Sequence, residues 1–330
     1  MSGILWAWMA LGLWTAMGQL VPRAQFGLPA EVAGAASKDG RVWVWGDGLW
    51  ERRERVWRQV AAGRFEAPGC VFGDAVVVQQ KTDLVAVGMR DGRVRRIDTE
   101  GYLSDCLEAT LYGRKGLLVA HRGLQVRFYD RGEPEAPRWP YREIYSFYTA
   151  SYQAGLLQTQ VDGDGVPDLF CGNYWIQGPL QFELPWRLFA INTHNETPES
   201  ARFRLAMRGS ELVASQGWVK GGKVLVFGPP ADVRQLWREQ ELSAGMDLEE
   251  PRGLVVADLD RDGVEEIYVG EAAGAGRIYR WSGIETKASP LKIGAGLPII
   301  GVLAVDWDRD GRRDLVVFGR RTGVWYRQLK

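Results

Sequence analysis

The stretch DWDRDGRRDLVVF, residues 306–318, joins an acidic loop to an apolar run. Aspartates stand at its positions 1, 3, 5 and 9, and a glycine stands at position 6. Carboxylates at alternate positions converge on one point when the chain turns sharply, and glycine permits such a turn. The leucine, valine and phenylalanine that follow are typical of a buried β-strand. The stretch therefore predicts a cation-binding loop that leads into a strand.

Two further stretches repeat this pattern upstream. Residues 258–270 read DLDRDGVEEIYVG and match it position by position, with glutamate as the final acid. Residues 160–172 read QVDGDGVPDLFCG and carry glutamine in place of the first aspartate. Aspartate and glycine are common in ordinary solvated turns, but three copies with glycine at the same position favour calcium binding.

An EF-hand is excluded, although oxygen ligands of this kind suit Ca²⁺. That motif needs a glutamate at position 12, where this chain has Val317, Val269 and Cys171. The runs that follow the acidic loops are strand-like. Each loop is therefore predicted to join two strands rather than two helices.

The pattern DxDxDGxxD, followed by an apolar strand and a glycine, resembles the FG-GAP/VCBS repeats of secreted bacterial proteins and of the integrin α-chain propeller. The resemblance implies a β-propeller whose loops bind Ca²⁺ through positions 1, 3, 5 and 9 and through the backbone carbonyl of position 7. Two sites would be fully acidic, and the third would be weaker because glutamine adds no charge. The implied metal ligands are Asp306, Asp308, Asp310, Arg312 and Asp314; Asp258, Asp260, Asp262, Val264 and Glu266; and Gln160, Asp162, Asp164, Val166 and Asp168.

Strand-like runs recur along the whole chain, with apolar anchors at residues 42, 84, 117, 169, 224, 267 and 315. Seven units at an average step of about 45 residues match the length of a four-stranded propeller blade. We therefore predict an all-β fold, a single β-propeller over residues 19–330 with seven blades, and with six or eight as alternatives. The unit that holds Asp83 and Leu84 keeps only the final acid and is predicted to bind no metal.

The N-terminus indicates export. Residues 1–18 contain no charged side chain, have an apolar centre and end with the small residues Ala16 and Gly18 at suitable positions. This pattern predicts a signal peptide cleaved before Gln19, with a retained membrane anchor as the alternative. The protein is accordingly expected to be secreted, periplasmic or exposed on the cell surface.

The three cysteines, Cys70, Cys106 and Cys171, stand at wide spacings without a CxxC pattern, so no zinc or redox site is expected. Buried small side chains are the preferred interpretation. A disulfide between Cys70 and Cys106 is the alternative.

Composition excludes several classes of protein. Lysine and arginine total 41, as do aspartate and glutamate, which disfavours disordered polyelectrolytes and strongly basic nucleic-acid binders. His121 lies in an apolar run and is expected to be structural, whereas His194 lies in a proline-bounded loop where a ligand contact is conceivable. No nucleophile elbow, zinc-protease motif or phosphate-binding loop is present.

Tryptophan is abundant, with 15 residues, and most of them are expected to pack within blades. An exposed indole with arginine nearby can stack on a sugar ring or anchor a protein partner. The tryptophans nearer to loops are Trp50, Trp57, Trp139, Trp175 and Trp186.

Taken together, these patterns predict a secreted, calcium-stabilised propeller that acts as a binding or scaffold module for a protein or glycan partner. A polysaccharide-active lyase or hydrolase and a cell-surface adhesion subunit are the alternatives. Two acids in a pocket lined by arginine and tryptophan at the central channel would favour the enzyme.

Overall fold

The computed structural model describes residues 20–99, 101–122, 125–130, 138–147, 155–192, 202–274, 276–283, 291–294 and 296–328. Every regular element in these ranges is a β-strand. Within them, no helix has the length and apolar character needed to span a membrane. The predicted signal peptide, residues 1–18, and His194 lie outside the described residues.

The described strands form seven antiparallel sheets, six with four strands and one with three. The first described strand is β1 (Leu20–Gly27), which joins the last sheet. Blade 1 contains β2 (Val32–Lys38), β3 (Arg41–Arg53) and β4 (Val56–Arg64). Blade 2 contains β5 (Glu66–Phe72), β6 (Ala75–Gln80), β7 (Asp83–Gly88) and β8 (Val94–Asp98). Blade 3 contains β9 (Leu103–Leu111), β10 (Arg114–His121), β11 (Gln125–Asp130) and β12 (Tyr141–Ser146).

The remaining blades follow in the same order. Blade 4 contains β13 (Leu156–Thr159), β14 (Asp168–Cys171), β15 (Tyr174–Gln177) and β16 (Arg187–Ala190). Blade 5 contains β17 (Arg202–Arg208), β18 (Glu211–Gly217), β19 (Val224–Gly228) and β20 (Arg238–Glu241). Blade 6 contains β21 (Pro251–Ala257), β22 (Glu266–Glu271), β23 (Arg277–Trp281) and β24 (Leu291–Gly294). Blade 7 contains β25 (Gly301–Val305), β26 (Asp314–Phe318), β27 (Thr322–Gln328) and β1.

The first strands of the seven blades form a closed ring. Strand β2 contacts β5, and the contacts continue through β9, β13, β17, β21 and β25 back to β2. A ring of antiparallel sheets that closes in this way is a β-propeller. The prediction of an all-β propeller with seven blades is confirmed.

Blade 7 combines strands from both ends of the described chain. Strand β1 pairs with β27 from Leu20 opposite Gln328 to Gly27 opposite Thr322, with one register shift between Pro22 and Ala24. Pairing of an early strand with the last hairpin holds the first and last blades together.

Apolar side chains fill the spaces between neighbouring blades. One cluster joins blades 3 and 4 and includes Phe128 and Leu169, both fully buried. Another joins blades 4 and 5 around Trp175. Because each blade covers the faces of its neighbours, the valine-rich and aromatic runs of the sequence are buried on both sides, as strands in a propeller require.

Each of the seven sequence anchors lies in a different blade. Five of them lie on second strands, whereas Leu84 lies on β7 and Val224 on β19, which are third strands. In these two blades the second strand is also an apolar run. The spacing of strand-like runs therefore identified the blade but not which of its strands carried the anchor. Asp83 consequently lies in a later turn than the one that carries the acidic loops, and it forms an ion pair with Arg96.

The cysteines correct one expectation. Cys70 and Cys106 form a disulfide, with Cα atoms 5.7 Å apart, so the preferred interpretation of two independent buried thiols is wrong. The bond joins β5 to β9, two neighbouring strands of the inner ring. Residues on adjacent inner strands approach closely although they are 36 positions apart in sequence. Cys171 is a buried free thiol, as expected.

Candidate metal centre

The three acidic loops occupy equivalent places in the fold. Each connects the inner strand of a blade to its second strand: β13 to β14, β21 to β22 and β25 to β26. The inner strands run in the same direction around the ring, so the three loops lie on one face of the propeller. The acid at position 9 is the first residue of the second strand in all three cases.

Two loops bring three carboxylates together. One oxygen each from Asp306, Asp308 and Asp310 lie within 4.8 Å of one another, and the same holds for Asp258, Asp260 and Asp262. Alternate spacing therefore produces the convergence that the sequence predicted. The third loop, at Gln160, does not form such a group of three acids among the described residues.

Hydrogen bonds from the backbone curl the loops around the first and fifth side chains. Asp306 accepts from the N–H groups of Asp310 at 3.0 Å and Gly311 at 2.9 Å. Asp310 in turn accepts from the N–H of Arg312 at 2.9 Å. In blade 6, Asp258 accepts from the N–H groups of Arg261 at 2.6 Å and Gly263 at 3.0 Å, and Asp262 accepts from Val264 N at 2.8 Å. These bonds fix the carboxylates in place without a bound ion.

Two positions in each loop have left-handed backbone conformation. Position 6 is the glycine that the three copies share, and a Cβ added there would meet no heavy atom within 4 Å apart from its chain neighbours. The φ angles at position 6 are 85° for Gly165, 88° for Gly263 and 83° for Gly311. At position 4 they are 77° for Gly163, 63° for Arg261 and 65° for Arg309. Glycine at position 6 is thus required by the backbone and not by crowding.

The acid at position 9 is buried in all three loops and accepts a hydrogen bond from the N–H of position 2. Burial raises the pKa of Asp314 and of Glu266. For Asp168, burial together with Asp162 and Asp164 raises the pKa to about 6, against hydrogen bonds that lower it. The three bonds are Trp307 N to Asp314 at 3.0 Å, Val161 N to Asp168 at 2.9 Å and Leu259 N to Glu266 at 3.5 Å.

A side chain from the third strand of the same blade contacts the acid at position 3. In blade 7, Arg327 lies 3.3 Å from Asp308 and also pairs with Asp310. In blade 6, Arg280 lies 3.0 Å from Asp260 and also pairs with Glu266. These arginines offset part of the negative charge of each loop.

In the blade 4 loop, an uncharged glutamine takes the place of the third-strand arginine. Gln177 of β15 donates to Asp162 at 2.6 Å. With its amide oxygen turned toward the loop, Gln160 accepts from Asp164 N at 3.2 Å and from Gly165 N. Gln160 therefore takes the structural place of the first aspartate without its charge.

The donor set fits Ca²⁺ in the two fully acidic loops. Three carboxylates converge, and Oδ1 of Asp308 is buried with no hydrogen-bond partner among the described residues. A buried carboxylate oxygen without a donor is unfavourable unless a cation or water satisfies it. Hard oxygen ligands of this kind are those that Ca²⁺ takes. The full ligand sets named from the resemblance, including position 9 and the carbonyls of position 7, remain predictions.

Sequence reasoning did not identify the third-strand arginines. No spacing in the sequence relates Arg327 or Arg280 to the acidic loops. Strand pairing brings them there, since Leu315 pairs with Tyr326 and Tyr268 pairs with Arg280.

A second concave site lies at the opposite end of the central channel. This channel-mouth pocket has a volume of about 340 Å³ and is lined in part by Glu31, Glu66, Arg64, Arg252 and Trp218. Arg252 is the second residue of β21, whereas Asp258 follows the end of that strand, so the pocket and the metal loops lie on opposite faces. His121 is buried at the end of β10, consistent with the structural role expected for it.

Comparison with known proteins agrees with this geometry. A family model described as an FG-GAP-like repeat matches residues 258–317, which contain both fully acidic loops. The chain therefore carries an FG-GAP-like repeat within a seven-bladed β-propeller. No curated protein sequence gives a significant match.

Solved structures that resemble this propeller share its fold at low sequence identity. The N-terminal domain of Nup159 has a TM-score of 0.60 at 9% identity, covering 95% of this chain and 96% of that one. The β-propeller domain of Cps50 (Swd1) from Myceliophteria thermophila has a TM-score of 0.58 at 10% identity, covering 93% and 99%. YCF48 from Cyanidioschyzon merolae has a TM-score of 0.54 at 15% identity, covering 92% and 99%. At this level of identity the likeness shows the fold alone.

Proposed function

We propose that this FG-GAP propeller is an exported binding module whose acidic loops are held by Ca²⁺. The propeller with FG-GAP repeats provides the scaffold. The observation that supports a structural role for the ion is the convergence of three carboxylates in two equivalent loops, within 4.8 Å. Both loops lie on one face of the propeller, where a bound ion would fix the loop conformation.

Two features support export. The apolar, uncharged N-terminal stretch fits a signal peptide. The Cys70–Cys106 disulfide fits an oxidising compartment, because structural disulfides are rare where thiols are kept reduced. Mass spectrometry of the exported protein should find a chain that begins near Gln19, whereas an intact Met1 in the membrane fraction would establish the retained anchor.

Thermal unfolding with and without Ca²⁺ tests the metal proposal. An ion that binds only the folded loop stabilises the fold by about 2.7 kcal/mol at a concentration 100 times Kd. Excess chelator should therefore lower the melting temperature, and the drop should be smaller in Asp310→Ala, which loses one site. Identical melting curves in millimolar Ca²⁺ and in chelator would contradict the proposal.

Asp232→Ala is a matched control for that variant. Asp232 is exposed and accepts a hydrogen bond from the N–H two residues later, Arg234 N at 3.2 Å, as Asp310 does from Arg312 N. It lies outside both carboxylate groups. Its substitution should change the melting temperature equally in Ca²⁺ and in chelator.

The partner proposed for the module is a glycan or a protein. A glycan-array screen of the exported protein, with and without Ca²⁺, tests the first class directly. Glycan binding that occurs in Ca²⁺ and is lost in chelator would support a calcium-stabilised glycan-binding module. Capture of proteins without binding of any glycan would support a protein partner.

One observation favours an enzymatic alternative. The channel-mouth pocket combines acids with arginines and an indole, the composition expected of a polysaccharide-cleaving site. Release of reducing ends or unsaturated products from acidic polysaccharides, abolished by Glu66→Gln, would establish this second function. Binding without product formation would leave the binding module.

A further inference from the structure

A groove lies at the seam between blades 7 and 1, on the same face as the acidic loops. Its volume is about 730 Å³, within the range of small-molecule sites. The blade 7 loop forms one wall of the groove, and of its three converging carboxylates the groove is lined by Asp308. The seam groove is defined here by Arg52, Arg55 and Trp57 of the β3–β4 hairpin, Trp307 and Arg309 of the acidic loop, and Trp325 of β27.

Three guanidinium groups share this groove without a matching acid. The described residues provide no ion pair for Arg52, Arg55 or Arg309. Arg52 is half-buried and donates to the backbone carbonyl of Trp307 at 2.9 Å. Burial, followed by the charges of Arg309 and Arg55, lowers the pKa of Arg52 to about 10. The lowered pKa thus reflects first the burial of Arg52 and then the positive charges of the two neighbouring arginines.

The acids near the groove do not neutralise it. Asp308 and Glu54 also line the groove. Asp308 is already paired with Arg327 at 3.3 Å. Glu54 is exposed at the hairpin turn. An anionic group from outside would therefore meet a net positive surface, and guanidinium groups bind carboxylates in bidentate geometry.

Indole rings flank the guanidinium groups. The guanidinium of Arg52 lies 3.5 Å from the ring centroid of Trp307, and the Trp57 ring lies 6.5 Å from that of Trp307. Trp57 and Trp325 are partly exposed, whereas Trp139, Trp175 and Trp186 are buried. The partly exposed indoles thus offer flat apolar faces beside a cationic centre.

We propose that the seam groove binds an acidic oligosaccharide, with its carboxylate at the arginines and its ring faces on Trp57 and Trp325. This inference rests on the proposed binding function and names the site and the ligand class. Sugars that carry a carboxylate present a charged group and an apolar ring face together, which matches the two surfaces of the groove. A peptide of acidic residues matches the charge but lacks rigid ring faces.

Calorimetric titration of the full exported chain at fixed Ca²⁺ tests the proposal. The probes are a uronic acid trisaccharide, a neutral trisaccharide of the same linkage and a glutamate-rich hexapeptide. The uronic acid probe should bind at least about tenfold more tightly than the neutral sugar, since a charge-assisted bond is lost with the carboxylate. Its affinity should fall as salt concentration rises.

Variants locate the site. Arg55→Gln and Arg309→Gln remove exposed groove arginines and should each weaken uronic acid binding about fivefold. Arg58→Gln is the matched control, because Arg58 lies on the same hairpin, is exposed and does not line the groove. Equal melting temperatures of the variants and the wild type show that any loss is not unfolding.

Three outcomes overturn the proposal. Equal affinity for the acidic and neutral sugars would refute the charge argument. Tighter binding of the hexapeptide would assign the groove to an acidic protein segment instead. Uronic acid binding that is unchanged in both arginine variants would show that the ligand binds outside the seam groove. That result would refute the proposed site and leave the proposed binding function intact.

Discussion

The side chains that face the acid at position 3 of each acidic loop set the charge of that loop. Arg327 contacts Asp308 and Asp310, and Arg280 contacts Asp260, so each arginine lies where it competes with a cation for carboxylate oxygens. The same arginines stabilise the metal-free loops, since crowded carboxylates repel one another. An arginine in this place is expected to reduce the difference in stability between the metal-bound and metal-free protein.

Replacing Arg327 should therefore change metal binding and metal-free stability in opposite directions. Arg327→Gln should bind Ca²⁺ several-fold more tightly at the blade 7 loop, because a competing positive charge is lost. In chelator the variant should melt below the wild type, because Asp308 and Asp310 lose their partner. Calcium titration by calorimetry and melting in chelator measure the two effects.

Arg313→Gln is the control for that prediction. Arg313 lies in the same loop and is exposed, and the structure gives it no ion pair with a described residue. Its loss removes the same formal charge without freeing a carboxylate. A gain in affinity as large as that of Arg327→Gln would show that overall charge, and not the ion pairs, controls binding.

The candidate site was predictable to the extent that it is local in sequence. The spacing of Asp306, Asp308 and Asp310 is enough to predict that they converge, because all three lie in one turn. Arg327 and Gln177 reach their loops through strand pairing, which depends on the register of a hairpin that the motif does not contain. The seam groove needs residues near 52 and near 307 together, and only closure of the ring brings them into contact.

At the scale of elements, the acidic loop is a turn with two left-handed residues. Positive φ at position 4 is adopted by Arg261 and Arg309 as well as by Gly163, so the loop imposes this conformation on side chains that disfavour it. Position 6 is glycine in all three copies. The conformation of this turn therefore explains the glycine that first marked the repeat.

Gly311→Ala should destabilise the protein by about 1–2 kcal/mol through backbone strain alone. No heavy atom lies within 4 Å of the Cβ position, and φ is 83°, so a clash does not contribute. Gly311→Asn should lose less stability than Gly311→Ala, because asparagine tolerates left-handed backbone better than alanine does. Chemical denaturation in chelator measures the difference without a contribution from metal binding.

Gly301→Ala provides the comparison at a glycine without positive φ. Gly301 starts β25, and an added Cβ would make an ordinary contact with Ala35 at 3.8 Å. It should be neutral or slightly stabilising. If Gly301→Ala lost as much stability as Gly311→Ala, the acidic loop would have no special backbone requirement.

Blades were predictable from the sequence because each one is a local unit. Strands of five or six residues with short turns recur at the blade length, so one anchor fell in each blade. The assignment failed within blades 2 and 5, where Leu84 and Val224 lie on third strands, because successive strands of a propeller blade are all apolar and periodicity does not rank them.

At the scale of the whole molecule, two links connect parts that are distant in sequence. One is the disulfide between the inner strands of blades 2 and 3, and the other is the pairing of β1 with β27. Neither was a firm prediction from sequence. Wide cysteine spacing does not identify which cysteines pair. A strand that pairs with a strand from the opposite end of the chain has no recognisable pattern in its own sequence.

Removal of the disulfide should lower stability by about 2–4 kcal/mol, since the bond closes a loop of 36 residues in the unfolded chain. A double variant, Cys70→Ala with Cys106→Ala, should melt at a lower temperature than the oxidised wild type. Reductant should lower the melting temperature of the wild type and leave that of the double variant unchanged. An equal response of both proteins to reductant would contradict a structural role for this bond.

Strand β1 closes the ring, and its loss should expose the edge of β27. Phe26 packs against Trp307, with ring centroids 4.8 Å apart, and covers Gly323, where an added Cβ would meet the Phe26 ring. A protein that begins at Gly27 should therefore melt at a lower temperature than one that begins at Gln19, and it should self-associate through the unpaired edge. A synthetic peptide of residues 20–27 should raise the melting temperature of the shortened protein as its concentration increases, because it binds only the folded edge. A shortened protein that stays monomeric and melts with the longer one would show that the inner ring alone closes the propeller.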